Sequence, residues 1–456
     1  MFASIRRILS IPELKAKIFF TLVMLMVCRI GAHIPVPGVN GDLAVRLFQH
    51  STGGSQNLFQ LMDVFSGGAF AHMTVIALGV MPYISASIVM QILMALVPAL
   101  QREIKESPDQ GRRKMGRWIR LMTVGLSLFQ SGLFAKYAIR LNAGTPGIIV
   151  PELFDFQLFG IPWLFYLLVM ATMTAGTMFL MWIGEQITER GVGNGMSLII
   201  TLGILSSLPS TLGSIIRQLN LDSQEPGQLS LSSLVVLFAV FVLIIVGTIL
   251  VIQGQRRVPL QYARRTLTSQ PEAEGKAYIP LKINYAGVIP VIFASSFLMF
   301  PATIVQFIGR SGKVGAFAAL LSPGSWLHTL LYVALIIGFT YFWTSTQFHP
   351  EQIASDMKKN GAFIPGVRQG KPTQDFLEST MSRITCIGAV FLAFIAIFPT
   401  LVSRLLGVDA TISHFFGGTS LLILVGVVLD TTKQIESHLL MRKYEGFMRR
   451  SRQRIT

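Results

Sequence analysis

Ten apolar stretches constrain the fold of this 456-residue chain more than any other feature. Each is close to the length of about 20 residues that a helix needs to cross a bilayer. As spans 1 to 10, they cover residues 18–36, 73–98, 118–139, 160–183, 193–215, 231–252, 285–308, 325–347, 384–403 and 412–432. Hydrophobic residues make up 52% of the chain and charged residues only 13%, which excludes a soluble domain. The sequence therefore predicts an all-α polytopic membrane protein.

The basic residues predict which side of the membrane each loop faces. Most of the 38 Lys and Arg residues lie in the N-terminal segment 1–17, in alternate loops and in the tail 433–456. Cytoplasmic loops carry an excess of Lys and Arg, so both termini are predicted to be cytoplasmic. The basic tail is also suited to binding anionic lipid headgroups.

Residues 58–98 contain an unusual opening stretch. A short amphipathic piece, Leu58–Phe65, runs into Ser66-Gly67-Gly68 and then into the apolar run of span 2. The short piece cannot cross a bilayer, so it is either a surface helix in an outer loop or a re-entrant helix inside a pore. Because irregular backbone at membrane depth requires surrounding protein or a water-filled cavity, the residues alone favour the surface helix.

Two loops on the predicted cytoplasmic side, 253–284 and 348–382, are longer than a simple connection requires. Each contains basic, aromatic, Pro and Gly residues, and the Pro and Gly residues fix turns that give a loop a defined shape. Such a loop is suited to docking an acidic protein or RNA phosphates. The alternative interpretation is a solvated connector.

The sequence lacks the residue patterns of several functional classes. Asp63 lies in the short piece, and Glu185 and Asp430 lie at span ends, so no span carries a convincing pair of buried carboxylates. Ion-coupled transporters usually need such groups, and the pattern argues against that class. Segment 191–195 contains glycines but lacks the GxGxxG spacing of a nucleotide loop, and it is predicted to open a membrane helix.

Metal and redox sites are not predicted either. The histidines form no HExxH motif or ligand cluster, and Cys28 and Cys386 lie far apart in apolar surroundings. No catalytic residue, metal or cofactor is therefore expected. Arg29, a charge well inside span 1, is expected to be structural, either snorkelling to the membrane surface or pairing with a helix end.

A set of motifs in a fixed order extends over nearly the whole chain, from about Ile11 to Phe447. The motifs are CRIGAHIPVPG, LMDVFSGGAF, ALGVMPYISASIVMQIL, GEQITERGVGNGMSLII, GQRRVPLQYARR, PLKINYAGVIPVIFASS, KKNGAFIPGVRQGKPT and FFGGTSLLILVGVVLDT. In these motifs the chain resembles the SecY family, the central subunit of the bacterial protein-conducting channel.

The resemblance implies two pseudo-symmetric halves, 18–215 and 216–432, around a central hourglass pore. The halves would hinge near the connection between spans 5 and 6. Residues 58–72 would form a plug, a short re-entrant helix folded into the pore, which replaces the surface-helix interpretation. The plug residues are Leu58, Phe59, Leu61, Met62, Val64, Phe65, Ser66, Gly67 and Gly68.

The resemblance also implies a pore ring of apolar side chains that can exclude ions by dewetting and widen around a polypeptide. The ring residues are Val80, Ile84, Met196, Ile200, Ile292 and Ile423. Val80 and Met196 stand where the family commonly has isoleucine, so the ring is expected to be slightly looser. A lateral gate is implied between spans 2–3 and 7–8, beside Ser85, Ser87 and Gln91, for which ordinary helix packing is the alternative role.

In the family the two long loops dock the SecA motor ATPase and the ribosome. The resemblance places Arg256 and Arg257 at the tip of the first loop and marks Arg368 in the second, where Arg offers a planar fork for carboxylate or phosphate. Gln369 stands where proline is usual and Phe376 where tyrosine is usual. With these two departures docking is still predicted, but the affinity of docking is not.

The implied function is a channel that passes unfolded secretory polypeptides across the bacterial inner membrane and releases transmembrane segments laterally into lipid. The implied partners are small membrane subunits of the SecE and SecG types, the SecA motor, the ribosome, signal sequences and membrane lipids. No enzyme activity is expected. Two alternatives remain: an inverted-repeat secondary transporter for a small solute, and a ribosome-anchoring scaffold without a pore.

Overall fold

The computed structural model describes residues 11–50, 57–97, 100, 108–144, 147–151, 162–218, 231–262, 278–308, 325–405 and 418–452, which are mostly helical. The helices are α1 Pro12–Gly31, α2 Gly41–His50, α3 Asn57–Ser66, α4 Met81–Leu96, α5 Pro108–Gly144, α6 Trp163–Arg190, α7 Gly195–Ser206, α8 Leu208–Gln218, α9 Leu231–Gln253, α10 Ile289–Ile308, α11 Trp326–Gln347, α12 Pro350–Lys359, α13 Lys371–Leu405 and α14 Gly418–Arg452. The strands are β1 Gln255–Pro259, β2 Gln261–Tyr262, β3 Tyr278–Lys282 and β4 Ala362–Phe363.

Every predicted span contains a helix. Spans 1 to 4 correspond to α1, α4, α5 and α6, span 5 to α7 and α8, and spans 6 to 10 to α9, α10, α11, α13 and α14. By length and composition alone, five helical segments of the described chain are able to cross a membrane. They are Trp163–Arg190, Gly195–Arg217, Ser232–Gln253, Trp326–Lys359 and Lys371–Pro399.

Helix contacts divide the spans into two groups. In the first group α5 packs on α4 and α6, and α6 packs on α1 and α7. In the second group α11 packs on α10 and α13, and α9 packs on α13 and α14. The groups meet where α10 contacts α4 and α5, and where α7 contacts α14. One hydrophobic cluster of buried side chains runs through both groups, so the two halves share a core.

Span 2 begins later than the sequence predicts. Its helix starts at Met81 instead of residue 73, and residues 67–80 form a succession of turns. Gly79 has φ of +57°, a left-handed conformation that interrupts a helix and favours glycine. Pro82 lies in the first turn of α4, where its missing N–H leaves no helical hydrogen bond unmade.

The outer end of span 1 supports this irregular backbone. Helix α1 ends at Gly31 instead of residue 36. The Val36 N–H then donates to Met73 O at 3.0 Å, and the Val75 N–H donates to Ile34 O at 3.0 Å. These bonds supply the protein partners that non-helical backbone needs at membrane depth.

Other span ends also differ from the predicted ones. Helices α5, α13 and α14 extend well beyond the apolar stretches that predicted them, because charged helical turns continue each one. Span 5 is interrupted by a turn at Ser207. Residues 412–417, at the predicted start of span 10, and residues 219–230, around the predicted hinge, lie outside the described residues.

The two long loops are joined into one unit, here named the loop module. Strand β1 pairs antiparallel with β3 inside the first loop, and β2 pairs with β4, which belongs to the second loop. A second hydrophobic cluster draws on both loops and on the start of α13. Its buried members are Val258, Leu281, Phe348, Met357, Ala362, Ile364, Leu377, Met381 and Ile384. The interpretation of these loops as solvated connectors is therefore wrong for their described parts.

Candidate functional site

The predicted plug forms helix α3 and turns back immediately after it. Gly67 and Gly68 follow the helix with φ of +70° and +87°, a conformation that glycine reaches without steric cost. Asp63 stabilises this turn, because its Oδ1 accepts a hydrogen bond from the Ala71 N–H at 2.8 Å. The chain therefore folds a short helix and returns toward span 2.

The plug lies directly against span 5. A Cβ atom on Gly203 of α7 would lie 2.6 Å from Phe65 O, so only glycine permits this approach. A Cβ atom on Gly67 would lie 2.9 Å from Gly203 Cα and 2.7 Å from Ser206 Oγ. The Met62 and Phe65 side chains are buried, and α3 also contacts α10 of the second half. These contacts define the plug seat, and the re-entrant interpretation is confirmed.

The remaining residues of the predicted plug differ in burial and in their hydrogen bonds. Ser66 is a turn residue, since its Oγ donates to Asp63 O at 3.1 Å and accepts from the Phe70 N–H at 3.0 Å. Phe70 was not singled out from the sequence, yet it is 2% exposed and packs edge-on against Phe134 with ring centroids 5.2 Å apart. The side chain of Val64 is half-buried. Of the predicted plug residues, the structure does not describe the side chains of Leu58, Phe59 and Leu61.

Arg29 links span 1 to the plug. Its Nη1 donates a hydrogen bond to Gly67 O at 2.8 Å. Gly67 directly follows the C-terminus of α3, where unsatisfied carbonyl groups favour a nearby cation. The prediction that Arg29 pairs with a helix end is therefore confirmed. No local sequence pattern indicates that this helix end belongs to the plug.

The six predicted ring residues come from α4 and its N-cap, α7, α10 and α14, and they all belong to the shared hydrophobic core. Val80, Ile84, Ile200, Ile292 and Ile423 are 6% exposed or less. The structure thus places apolar side chains from four spans in the shared core, while their arrangement as a ring stays a prediction.

Met196 is the exception within the ring set. It is only partly buried, and its Sδ occupies the space where a Cβ atom on Gly184 of α6 would lie. This side chain therefore packs against span 4, which a shorter or branched side chain would do less well.

The predicted gate residues lie on α4, which packs against α10. Ser87 is buried, and its Oγ donates to Ile84 O at 2.8 Å, so this hydroxyl is satisfied within its own helix. Ser85 is half-buried. The Oε1 atom of Gln91 is buried and has no hydrogen-bond partner among the described residues.

Arg256 and Arg257 do not lie at a loop tip, and that prediction is wrong. Both belong to β1, which follows α9 almost at once because the chain pairs with β3 there. Both side chains are exposed, and the Arg257 guanidinium lies over the Tyr278 ring, 4.8 Å from its centroid. The middle of the loop, residues 263–277, lies outside the described residues.

Arg368 is exposed on the second loop, and its neighbours fix the backbone around it. The Thr373 Oγ1 donates to Arg368 O at 2.7 Å. The Gln369 Nε2 donates to Ala362 O at 3.2 Å, which ties the turn back to β4. Phe376 is half-buried and packs against the core of the loop module. Gln369 and Phe376, which depart from the family pattern, therefore both contact other residues of the loop module.

Two further polar residues singled out from the sequence, Asn194 and Glu185, also have structural partners. Asn194 caps α7 by accepting a hydrogen bond from the Ser197 N–H at 3.2 Å, so segment 191–195 opens a membrane helix as predicted. Glu185 of α6 pairs with Arg120 of α5 at 2.8 Å. Among the described residues, no group of three His, Cys, Asp or Glu side chains is placed to hold a metal ion.

Comparison with known proteins finds close relatives. Residues 74–432 match the SecY family. The chain is 59% identical over 451 residues to the protein translocase subunit SecY of Chlamydia trachomatis, covering 99% of each chain. It is 41% identical over 446 residues to the protein translocase subunit SecY of Aquifex aeolicus, covering 98% of this chain and 99% of the relative.

Solved structures share the fold. One protein-conducting channel matches with a TM-score of 0.62 at 20% identity, covering 92% of this chain and 91% of that chain. Sec61 in the canine ribosome-channel complex matches with a TM-score of 0.59 at 19% identity, with the same coverage of 92% and 91%. The fold is therefore the predicted one of ten transmembrane helices in two pseudo-symmetric halves around a central pore.

These matches decide between the functional alternatives. The relatives are protein translocase subunits, which contradicts the alternative of a secondary transporter for a small solute. The chain belongs to the SecY family of multi-pass protein translocase channel subunits.

Proposed function

We propose that the plug and the pore ring together keep the resting channel closed to ions. The observation that carries this proposal is the plug seat, where Gly67 and Gly203 bring the backbone of the plug against span 5. Val80 of the ring lines the same small cavity as Phe65 and Ser66 of the plug. A plug in this seat obstructs the path beside the ring, and the apolar ring offers water few hydrogen-bond partners.

When the channel opens, an unfolded secretory polypeptide takes the place of the plug. Aliphatic ring side chains contact a passing chain without recognising a particular sequence, which suits a conduit for many substrates. Met196 has a flexible thioether side chain, which can change conformation around a passing polypeptide.

Transmembrane segments of the substrate leave sideways between α4–α5 and α10–α11. Ser85 and Ser87 are small, so α4 and α10 pack closely with few strong bonds to break. Gln91 is the third polar side chain proposed for this seam. A signal sequence that binds the open seam more tightly than the closed one shifts the population toward the open channel.

The loop module is the proposed docking surface for a SecA-type motor ATPase and for the ribosome. Arg256, Arg257 and Arg368 are exposed on it, and each presents a planar fork to carboxylate or phosphate groups. Similar solved chains occur in ribosome complexes, namely Sec61 from canine endoplasmic reticulum and the yeast Ssh1 complex on the 80S ribosome. SecE-type and SecG-type membrane subunits complete the proposed assembly, with membrane lipids around it.

The proposed location is the bacterial inner membrane. The excess of Lys and Arg supports a cytoplasmic position for the N-terminal segment 1–17, the tail 433–456 and the loops 253–284 and 348–382. The halves 18–215 and 216–432 would then move relative to each other about the connection between spans 5 and 6. The chain is proposed to be a conduit and not an enzyme, with its motor supplying the energy.

Ion leak through reconstituted vesicles tests the closed-pore proposal. The chain would be incorporated with its small membrane subunits, and leak would be measured before and after deletion of Asn57–Ala71. We expect a tight intact channel and a clear rise in leak on deletion. A second variant changes Val80, Ile84, Ile200 and Ile292 to Ser, with exposed Val390→Ser as its control. If both the deletion and the ring variant stay tight, the proposal fails, and neither the plug nor the ring closes the resting pore.

A further inference from the structure

We propose that Arg29 is the latch of the plug, a positioning residue that holds the resting channel closed and must release Gly67 before the pore can open. This inference rests on the proposed plugged-pore function. The residue belongs to span 1, whereas its acceptor belongs to the turn that follows the plug helix, 38 positions further along the chain. A bond across that distance fixes the position of the plug relative to the first half of the channel.

The chemistry of the contact favours a strong bond. Nη1 of Arg29 donates to Gly67 O at 2.8 Å, a distance typical of hydrogen bonds from a charged donor. The acceptor lies just beyond the C-terminus of α3, where the helix dipole adds further attraction for a cation. Within the described part of the chain no carboxylate forms an ion pair with Arg29, so the plug provides its polar partner outside its own helix.

The surroundings of Arg29 make this bond conditional on the seated plug. Arg29 lines a cavity of about 30 Å³ together with Phe65 and Ser66 of the plug and Val80 of the ring. In such an apolar and narrow space a charge without a partner is unfavourable. The seated plug removes this cost by presenting its carbonyl, and departure of the plug restores it. Arg29 therefore biases the channel toward the closed state.

The other plug contacts show why one latch has a large effect. The plug touches both halves, through α7 in the first half and through α10 in the second. When the halves separate, the contacts with α10 are lost, whereas the bond from Arg29 and the close approach at Gly203 remain on the first half. Release of the plug then depends on breaking this bond, so its strength sets how readily the open channel forms.

Substitution of Arg29 tests the latch in the reconstituted channel. We expect Arg29→Met to raise resting ion leak by about tenfold, the effect of losing one charge-assisted hydrogen bond. Arg29→Lys, which keeps the charge, is expected to leak less than Arg29→Met. The matched control is Arg120→Met, which removes an arginine of span 3 whose partner is Glu185 and not the plug.

A double variant separates a latch from a general defect in the pore. In the chain lacking Asn57–Ala71, Arg29→Met is expected to add no further leak, because its partner is gone. An equal rise in both backgrounds would overturn the latch, since Arg29 would then act independently of the plug. If the deletion itself causes no leak while Arg29→Met does, the plugged-pore function and the latch both fail.

A cross-link reports the position of the plug without relying on leak. A Cβ atom at Gly79 would lie 3.8 Å from Ser66 Cβ, within the separation of about 3.5–4.5 Å found in disulfides. Ser66→Cys with Gly79→Cys, in a chain with Cys28→Ser and Cys386→Ser, is expected to form a disulfide in the resting channel. Adding Arg29→Met should lower its initial rate of formation, although by much less than the change in leak, because most plugs remain seated. An unchanged rate together with unchanged leak would overturn the proposal.

Discussion

The plug seat and the loop module are held together by different balances of apolar burial and backbone contact. The module buries large apolar side chains from both loops, among them Leu281 and Leu377, which are each 0% exposed. Each such side chain contributes about 1.5–3 kcal/mol to stability. The plug seat buries fewer such side chains, among them Met62 and Phe65, and adds close backbone approach at Gly67 and Gly203. It also contains the hydrogen bond from Arg29, and one bond of this kind contributes about 1.5–3 kcal/mol.

The difference corresponds to what each region has to do. A docking surface has to keep its shape while partners bind and leave, and a core shared by two loops provides that rigidity. A plug has to leave its seat and return to it. A seat with fewer buried side chains, completed by backbone contacts at glycines and one hydrogen bond, costs less free energy to leave than the core of the module.

The largest expected effect comes from opening a cavity in the module. Leu377→Ala should destabilise the module by about 2–5 kcal/mol, because a fully buried side chain leaves unfilled space. Limited proteolysis of the reconstituted channel should then cut both loops, 253–284 and 348–382, more rapidly. Exposed Glu378→Ala is the control and should have little effect. Faster cleavage of the second loop alone would show that the loops do not share one core.

A comparison of two adjacent glycines tests the seat itself. Gly67→Ala should combine backbone strain of about 1–2 kcal/mol with overpacking of about 1–3 kcal/mol, because its Cβ would meet Gly203 and Ser206 of span 5 and Nη1 of Arg29. Gly68→Ala should cause the strain alone, since nothing lies within 4 Å of a Cβ there. Resting ion leak should therefore rise more for Gly67→Ala. Equal leak from the two variants would show that contact with span 5 does not hold the plug.

Substitution of Gly203, on the span 5 side of the contact with the plug, should give a smaller effect. Gly203→Ala places a Cβ atom 2.6 Å from Phe65 O without backbone strain, so the expected cost is overpacking of about 1–3 kcal/mol. Ion leak should rise, and the disulfide between positions 66 and 79 should form more slowly. Gly213→Ala in α8 is the control, because nothing lies within 4 Å of a Cβ there. A tight Gly203→Ala channel would mean that the plug tolerates a shifted seat.

The smallest expected effect concerns the turn that carries Arg368. Gln369→Ala removes the hydrogen bond to Ala362 O and should weaken the turn by about 0.5–1.5 kcal/mol. Hydrogen exchange of residues 362–370 should accelerate while the rest of the module keeps its protection. Gln369→Pro, which introduces the usual residue of the family, should recover part of the rigidity because proline fixes φ. Acceleration throughout the module would mean that this single bond supports the whole core.

The sequence by itself determined the membrane class, the ten helices and the apolar character of the ring. These properties are local, because about 20 consecutive apolar residues are needed to cross a bilayer and each span shows them in its own stretch. The cap of α7 at Asn194 was also local, since its partner Ser197 is three residues away. The family motifs then supplied the plug and the ring as a set.

Only the tertiary structure decided which distant residues meet. The bond from Arg29 to Gly67 and the pairing of β2 with β4 join segments that are remote in sequence. The late start of α4 at Met81 also has no clear signal in the apolar pattern. The tertiary structure also placed Arg256 and Arg257 in a strand instead of a loop tip. The physical reason is that backbone groups and charges inside a membrane protein must find partners wherever packing brings them together, and no local pattern names those partners.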